Sequence, residues 1–167
     1  MNAIFLIIPV ILIRYGVPIF FGKPIYARVQ FFPPVEGAEK IMLNVYKVTT
    51  IVLLLSLFLF DITLQSFVNY VGVVLYVLGA VFYLKSLIDF ARADEGEVIN
   101  IGLYKFSRNP MYVAFFIYFL GITLMINSYL YFNLLIVFQI SVHIIILGEE
   151  KWCRRKYGEE YENYTQE

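Results

Sequence analysis

The stretch NPMYVAFFIYFLGITLMINSYLYFNLLIVFQISVHIIILG, from Asn109 to Gly148, runs for 40 residues without an Asp, Glu, Lys or Arg. A helix rises about 1.5 Å per residue, so this run makes roughly 60 Å of helix, enough to cross a hydrocarbon core of about 30 Å twice. Asn127-Ser128, near its middle, supplies the turn. Barrel strands are far shorter than this, and a bilayer leaves no backbone group unpaired, so the run reads as two helices. The pattern recurs upstream. Residues 2–21 carry only Arg14 as a charge, residues 48–60 are uncharged and lengthen to a span when 41–47 are included, and residues 67–84 are uncharged with Lys85 just beyond. The sequence therefore predicts an all-α, polytopic membrane helix bundle of about five helices, at 2–21, 41–60, 67–90, 109–126 and 129–148. These form a single domain over 1–167, divided into N-terminal helices (1–84) and a second half (85–167).

Composition agrees. The chain is 60% hydrophobic and only 16% charged, against roughly 25% charged for an ordinary soluble domain. A chain of 167 residues has too little interior to hide that much apolar surface from water. A soluble globular enzyme, a disordered chain and a nucleic-acid binder are excluded on this ground, and the lipid bilayer is the expected partner. The lone cysteine, Cys153, rules out an intramolecular disulfide and a cysteine-cluster metal site. His143 is likewise the only histidine, so no metal is expected. The first segment lacks a basic n-region and a small-residue cleavage site and is read as a retained helix, with Pro9 and Pro18 as kink positions. Arg14 within it is read as snorkelling toward one face or lining the bundle. Gly72, Gly79 and Ala80 make one small-residue face for close helix contact. Pro33-Pro34 and Gly37 mark a stiff loop. Nothing in the sequence sets the oligomeric state.

Net charge is zero, from 13 basic and 13 acidic residues, but the basic residues segregate. Lys23, Arg28, Lys40 and Lys47 fall in the first connection or beside it, Lys85, Arg92, Lys105 and Arg108 about the third, and Lys151, Arg154, Arg155 and Lys156 in the tail. The second connection has only Asp61, and the Asn127-Ser128 turn has no charge. The positive-inside rule then predicts an N-terminus outside and a cytosolic C-terminus.

Charge concentrates at 89–108 and 149–162, both on the cytosolic side of this topology. Asn109-Pro110 has a structural explanation as N-cap and first helical residue. That explanation leaves Tyr104, Arg108 and Tyr112 unaccounted for, and a helix N-terminus also suits a carboxylate. In the tail, His143, Glu150, Tyr157 and Tyr164 recur at sevens, with Arg154 and Tyr161 at the four-residue steps. A helix running on past 148 would put them on one face, and Gly158 is where it would break. Two readings stand for that stripe: an interfacial amphipathic helix anchored by Trp152 and tyrosines, or one wall of a polar pocket. Glu149-Glu150 fits the first poorly, because adjacent acids have no advantage near anionic lipid. His143 reads either as a satisfied buried histidine or as a pocket partner of Glu150.

At these residues the chain resembles a known family. Gly102-Leu-Tyr104-Lys-Phe-Ser-Arg108-Asn109-Pro110-Met-Tyr112 is similar to the G-x-Y-x-x-x-R-[HN]-P-x-Y signature of the isoprenylcysteine carboxyl methyltransferases and phospholipid methyltransferases. Glu149-Glu150, followed by Tyr157-Gly158-Glu-Glu-Tyr161-Glu-Asn-Tyr164, resembles that family's E-E…[FY]-G-x-x-Y-x-x-Y ending. The likeness covers roughly residues 85–164. It implies a membrane methyltransferase that uses S-adenosylmethionine, with 85–167 as the cofactor-binding catalytic half. By the same resemblance, Gly102, Tyr104, Arg108, Asn109, Pro110, Tyr112, His143, Glu149 and Glu150 are expected to bind the cofactor, and Arg108 and Glu150 to be catalytic. Arg154, Tyr157 and Tyr161 are expected to contact a lipidic or isoprenoid acceptor. Asn109 stands where the carboxyl methyltransferases usually carry His, which separates this chain from the prenylcysteine pattern. The tail ends at Thr165-Gln-Glu167, where relatives often continue through a short basic segment. A membrane reductase of the sterol-reductase type using NADPH, and a non-catalytic protein retaining the fold, are the rival readings.

Overall fold

The computed structural model describes residues 1–34 and 37–166. Seven α-helices run in order among them: α1 (Ile8–Phe21), α2 (Lys23–Gln30), α3 (Ala38–Ser56), α4 (Phe67–Arg92), α5 (Pro110–Ile126), α6 (Tyr129–Tyr157) and α7 (Glu159–Gln166). Short 3-10 turns cover Ala3–Ile7, Leu57–Leu59 and Gly102–Lys105. No strand forms among the described residues. The expected polytopic membrane bundle is what the chain adopts. Among the described residues, four stretches are long and apolar enough to cross a membrane: Ala3–Phe21, Glu39–Leu59, Phe67–Arg92 and Tyr129–Tyr157. The fifth predicted span, α5, is apolar but only 17 residues long. Half of it is buried, including Ala114, Tyr118, Ile122 and Met125, so it forms the bundle's centre. The loop expected at Pro33-Pro34 and Gly37 does separate α2 from α3, although Val35 and Glu36 between them lie outside the described residues.

The predicted small-residue face of α4 meets the backbone of α5. A Cβ on Gly79 would lie 2.5 Å from the Tyr118 backbone nitrogen, and one on Gly72 would lie 2.8 Å from the Gly121 carbonyl oxygen. Gly121 completes the contact from the α5 side, where a Cβ would come within 2.4 Å of the Tyr76 nitrogen. Bare backbone at these crossings is what lets two apolar helices approach closely enough for dispersion to hold them without a hydrophobic driving force. The side chain of Asn69, in a capping box with Ser66 at the start of α4, reaches across to donate to the Leu124 carbonyl at 2.8 Å. While α5 packs most closely on α4, α6 packs most closely on α3, and the consecutive helices α5 and α6 meet less extensively.

One end of the bundle is sealed. Ala3 N–H donates to the Phe60 carbonyl at 2.9 Å, Ile62 N–H to the Met1 carbonyl at 2.8 Å and Thr63 N–H to the Met125 carbonyl at 2.8 Å. The other end is elaborated, and there the structure departs from the expected boundaries. The helix expected to stop at 148 runs on to Tyr157, making α6 29 residues long, about 43 Å at 1.5 Å per residue. Its last turns therefore project beyond a core of about 30 Å. Gly158, at φ +56°, breaks it as anticipated, and α7 doubles back. Neither α2 nor α7 was expected; both are eight residues long and polar enough to lack any membrane-spanning signal.

Candidate active site

At the elaborated end the helices enclose a cavity of about 600 Å³. Its walls come from the C-terminal turns of α4 and α6, the N-terminal turns of α5, the first half of α3, α2, α7 and the 95–99 segment, with Arg14 reaching in from α1. The lining is largely aromatic and aliphatic, with charge confined to a few points, as in a typical small-molecule site.

The two acidic residues that open the tail have different partners. Glu150 of α6 is paired with Arg108, two residues before the start of α5 (Oε1 to Nη1, 3.3 Å). Glu149 accepts a hydrogen bond from the Tyr112 hydroxyl at 2.9 Å. Both contacts join the two sequence blocks that lie some 40 residues apart, and both face the cavity. Asn109 takes the N-cap position of α5 with Pro110 as the first helical residue, but its side chain makes no capping hydrogen bond. It lines the cavity instead, while its carbonyl accepts the N–H groups of Tyr112 and Val113. Pro110 is buried in the start of α5 and acts through that geometry.

Tyr104 is carried by the Gly102–Lys105 turn, and the turn is held by a residue the sequence reading did not single out. Asp89, buried in the last turns of α4, accepts from Leu103 N–H at 2.9 Å and pairs with Lys85. Gly102 takes φ +55°, and a Cβ there would fall 2.0 Å from the Asp89 carboxylate. Gly102 therefore shapes the wall without lining it. The available signal was an acid within a membrane helix, with a lysine four residues before it on the same face.

α7 closes the cavity from the outside. The Tyr164 hydroxyl donates to the Tyr104 carbonyl, Val98 N–H donates to Glu160 at 3.3 Å, and Tyr161 is buried in the lining. Burial pushes the Tyr161 hydroxyl up to about 12 and raises that of Tyr164. Tyr104, more deeply enclosed, is pushed well above the usual phenol range for the same reason. Tyr157 also lines the site, under Lys156, whose ammonium lies 4.7 Å from the Trp152 ring and 4.9 Å from the Tyr157 ring.

Of the twelve residues expected at the site, Tyr104, Arg108, Asn109, Tyr112, Glu149, Glu150, Tyr157 and Tyr161 line the one cavity. Gly102 and Pro110 support it from behind. Two are not brought to it. His143 is exposed on α6, along the same outward stripe as Ile136, Ile140 and Leu147. Its seven-residue offset from Glu150 gives a similar bearing but leaves it about 10 Å deeper along the helix, beyond the cavity's reach. Arg154 instead pairs with Glu162 of α7 at 3.5 Å. The single-face reading of the tail also changes: because α6 ends at Gly158, Tyr161 and Tyr164 reach the site by chain reversal. Residues from outside the recognised blocks complete the lining, notably Arg14, Arg28, Tyr46 and Phe90. Arg28 donates to the Ala93 carbonyl at 3.0 Å and lies 4.9 Å from the Phe90 ring. No cluster of His, Cys, Asp and Glu able to hold a metal occurs among the described residues.

Comparison with known proteins bears on this arrangement. Two rice proteins, from Oryza sativa subsp. indica and subsp. japonica, are each named "Probable protein-S-isoprenylcysteine O-methyltransferase". Each is 30% identical to this chain over 113 residues, covering 60% of this chain and 58% of its own length. The chain thus spans little more than half the length of these curated relatives. No solved structure matches it. The family model described as phospholipid methyltransferase matches residues 50–160. That match takes in the Gly102–Tyr112 block whole and the tail block from Glu149-Glu150 to Glu160, along with the helices that bring them together, so the chain belongs to the phospholipid methyltransferase family.

Proposed function

We propose that the chain transfers a methyl group from S-adenosylmethionine to a lipidic or membrane-embedded acceptor, in the cavity at the cytosolic end of the bundle. The observation that carries this reading is the meeting of Arg108, Glu150, Glu149 and Tyr112 on one aromatic cavity. The proposed donor carries a carboxylate, an ammonium and an adenine ring, and the residues present fit each. Arg108 suits the carboxylate. Glu149 or Glu150 suits the ammonium, and the tyrosine and phenylalanine faces suit adenine or the sulfonium. A volume of about 600 Å³ lies within the range of small-molecule sites.

When bound, the donor supplies a methyl carbon already activated for displacement. What this chain contributes is orientation and field. The Arg108–Glu150 pair fixes two opposite charges across the cavity mouth. Tyr112 holds Glu149 in one rotamer. α7 and the 95–104 segment cover the cavity from above. Where the acceptor is an amine, Glu149 or Glu150 would take its proton; a carboxylate acceptor needs no base. Family membership, the positive-inside pattern and the sealed opposite end support an N-terminus outside, with the site cytosolic. On this reading 1–84 supports and 85–167 binds the cofactor.

The test is equilibrium binding of S-adenosylmethionine to the purified chain in detergent. Wild-type protein binds; Arg108→Ala and Glu150→Ala each reduce affinity at least tenfold while circular dichroism and elution volume stay unchanged. Absence of binding at millimolar donor, with tight NADPH binding in its place, would overturn the methyltransferase reading. Normal donor binding by both variants would overturn the site assignment.

A further inference from the structure

We infer that Arg14 is the residue that recognises an anionic group, a carboxylate or a phosphate, on the acceptor within the membrane-embedded part of the cavity. This rests on the methyl-transfer reading and deepens it, by naming the charge of the acceptor and a residue that selects for it. Arg14 lies outside the stretch matched by the family model, residues 50–160.

Arg14 is the only charged residue between positions 2 and 21. It sits eight residues before Gly22, which ends α1, so it lies about 12 Å inside the helix end. A cation at such depth is costly unless it is paired or faces a polar cavity. Its side chain does line the cavity, beside the hydroxyls of Tyr83 and Tyr46. Yet no ion pair in the described residues includes it. The pairs are Met1–Asp61, Lys85–Asp89, Arg108–Glu150, Lys151–Glu39 and Arg154–Glu162. The neighbouring Tyr83 is 1% exposed, and its hydroxyl proton finds no acceptor among the described residues.

A guanidinium thus reaches the cavity with donors to spare, with the buried Tyr83 hydroxyl beside it. The other cations of the lining are already engaged: Arg108 with Glu150, Arg28 with the Ala93 carbonyl and the Phe90 ring, Lys156 over Trp152. Guanidinium presents five N–H donors in a planar fork that matches a carboxylate or phosphate bidentately. An anionic acceptor that brings its apolar chain along the bilayer would supply what this corner lacks, and it would do so below the level at which Arg108 meets a water-soluble donor.

The experiment measures binding to the full chain in detergent, without donor, for two probe pairs. One pair is N-acetyl-S-farnesylcysteine and its carboxamide; the other is dioleoyl phosphatidic acid and dioleoylglycerol. Wild-type protein is expected to prefer one anionic probe over its neutral counterpart by tenfold or more, and which pair responds names the source of the anion. Arg14→Gln should reduce that preference to threefold or less, and Arg14→Lys should retain part of it. Thermal melts and elution volumes certify each variant; Arg14→Met replaces Arg14→Gln if the latter fails to fold. No anionic preference in wild type, or full preference in Arg14→Gln, overturns the inference. S-adenosylmethionine binding is measured in parallel. Donor binding without anionic preference defeats this inference alone, whereas Arg14-dependent preference without donor binding defeats the methyl-transfer reading and leaves the anion site standing.

Discussion

At the scale of single residues, the contrast between His143 and Asp89 separates sequence rarity from structural role. His143 is the chain's one histidine and drew attention for that reason, yet it points outward from α6. Replacing an exposed side chain with no partner changes stability by about 0.5 kcal/mol or less. His143→Ala should accordingly shift the melting temperature by no more than about 2 °C and leave the donor affinity within twofold of wild type; a tenfold loss of donor binding would return His143 to the site. Asp89 is one of 13 acids, but it is buried and holds both Leu103 N–H and Lys85. Asp89→Ala leaves a backbone donor unpaired and removes the brace under Gly102. Losing a charged hydrogen-bond acceptor of this kind costs about 2–3 kcal/mol. Because the Gly102–Lys105 turn carries Tyr104, donor affinity should fall together with stability. Thermal unfolding and donor titration on the same preparation check both; a stable variant with intact binding would show that the turn needs no brace.

At the scale of elements, the long spans were legible and the short ones were not, for one physical reason. A membrane helix announces itself by what it excludes, and the absence of charge over 67–84 or 109–148 is read directly. α2 and α7 exclude nothing: they are short, polar and stabilised by what they dock against. The small-residue face of α4 was legible, but its partner Gly121 was not, because the sequence does not say which helix α4 meets. Gly79→Ala would press a Cβ against the Tyr118 backbone, which cannot rotate aside. Overpacking of this kind costs about 1–3 kcal/mol and should lower the melting temperature more than Gly16→Ala, where nothing lies within 4 Å. Equal melting temperatures for the two variants would contradict the α4–α5 packing. The docking of α7 carries its own pH signature. Burial raises the Tyr161 hydroxyl to about 12 and raises Tyr164 too, against an ordinary value of about 10 for free tyrosine. The docked helix therefore resists ionisation that the undocked helix accepts. Docking stability is complete below about pH 10 and is lost as pH rises from there through about 12. A spin-label distance between Glu97→Cys and Thr165→Cys, in a Cys153→Ser background, should lengthen over that window and stay constant from pH 7 to 9.

At the scale of the whole molecule, the sealed and the open ends divide the chain's chemistry between them. The closed end is tied by backbone hydrogen bonds among Met1, Ala3, Phe60, Ile62, Thr63 and Met125, and its one acid, Asp61, is met by the chain's own N-terminal ammonium at 3.6 Å. The open end carries Lys105, Arg108 and the basic run Arg154-Arg155-Lys156. What the sequence could not convey was how the open end is roofed, since the roof depends on the reversal at Gly158 and on a loop, 95–104, with no periodicity to read. Sidedness follows from charge. Lys and Arg flanking membrane helices are retained on the cytosolic side, so the open end should face the cytosol, where a water-soluble methyl donor is available. Gln65, exposed in the connection between α3 and α4, and Lys105, exposed beside the site, report on the two ends. With Cys153→Ser as background, a membrane-impermeant maleimide added to intact cells should label Gln65→Cys and spare Lys105→Cys. Permeabilisation should then make Lys105→Cys react as well. The reverse pattern would place the cavity outside, where neither the basic flanks nor a cytosolic donor could serve it.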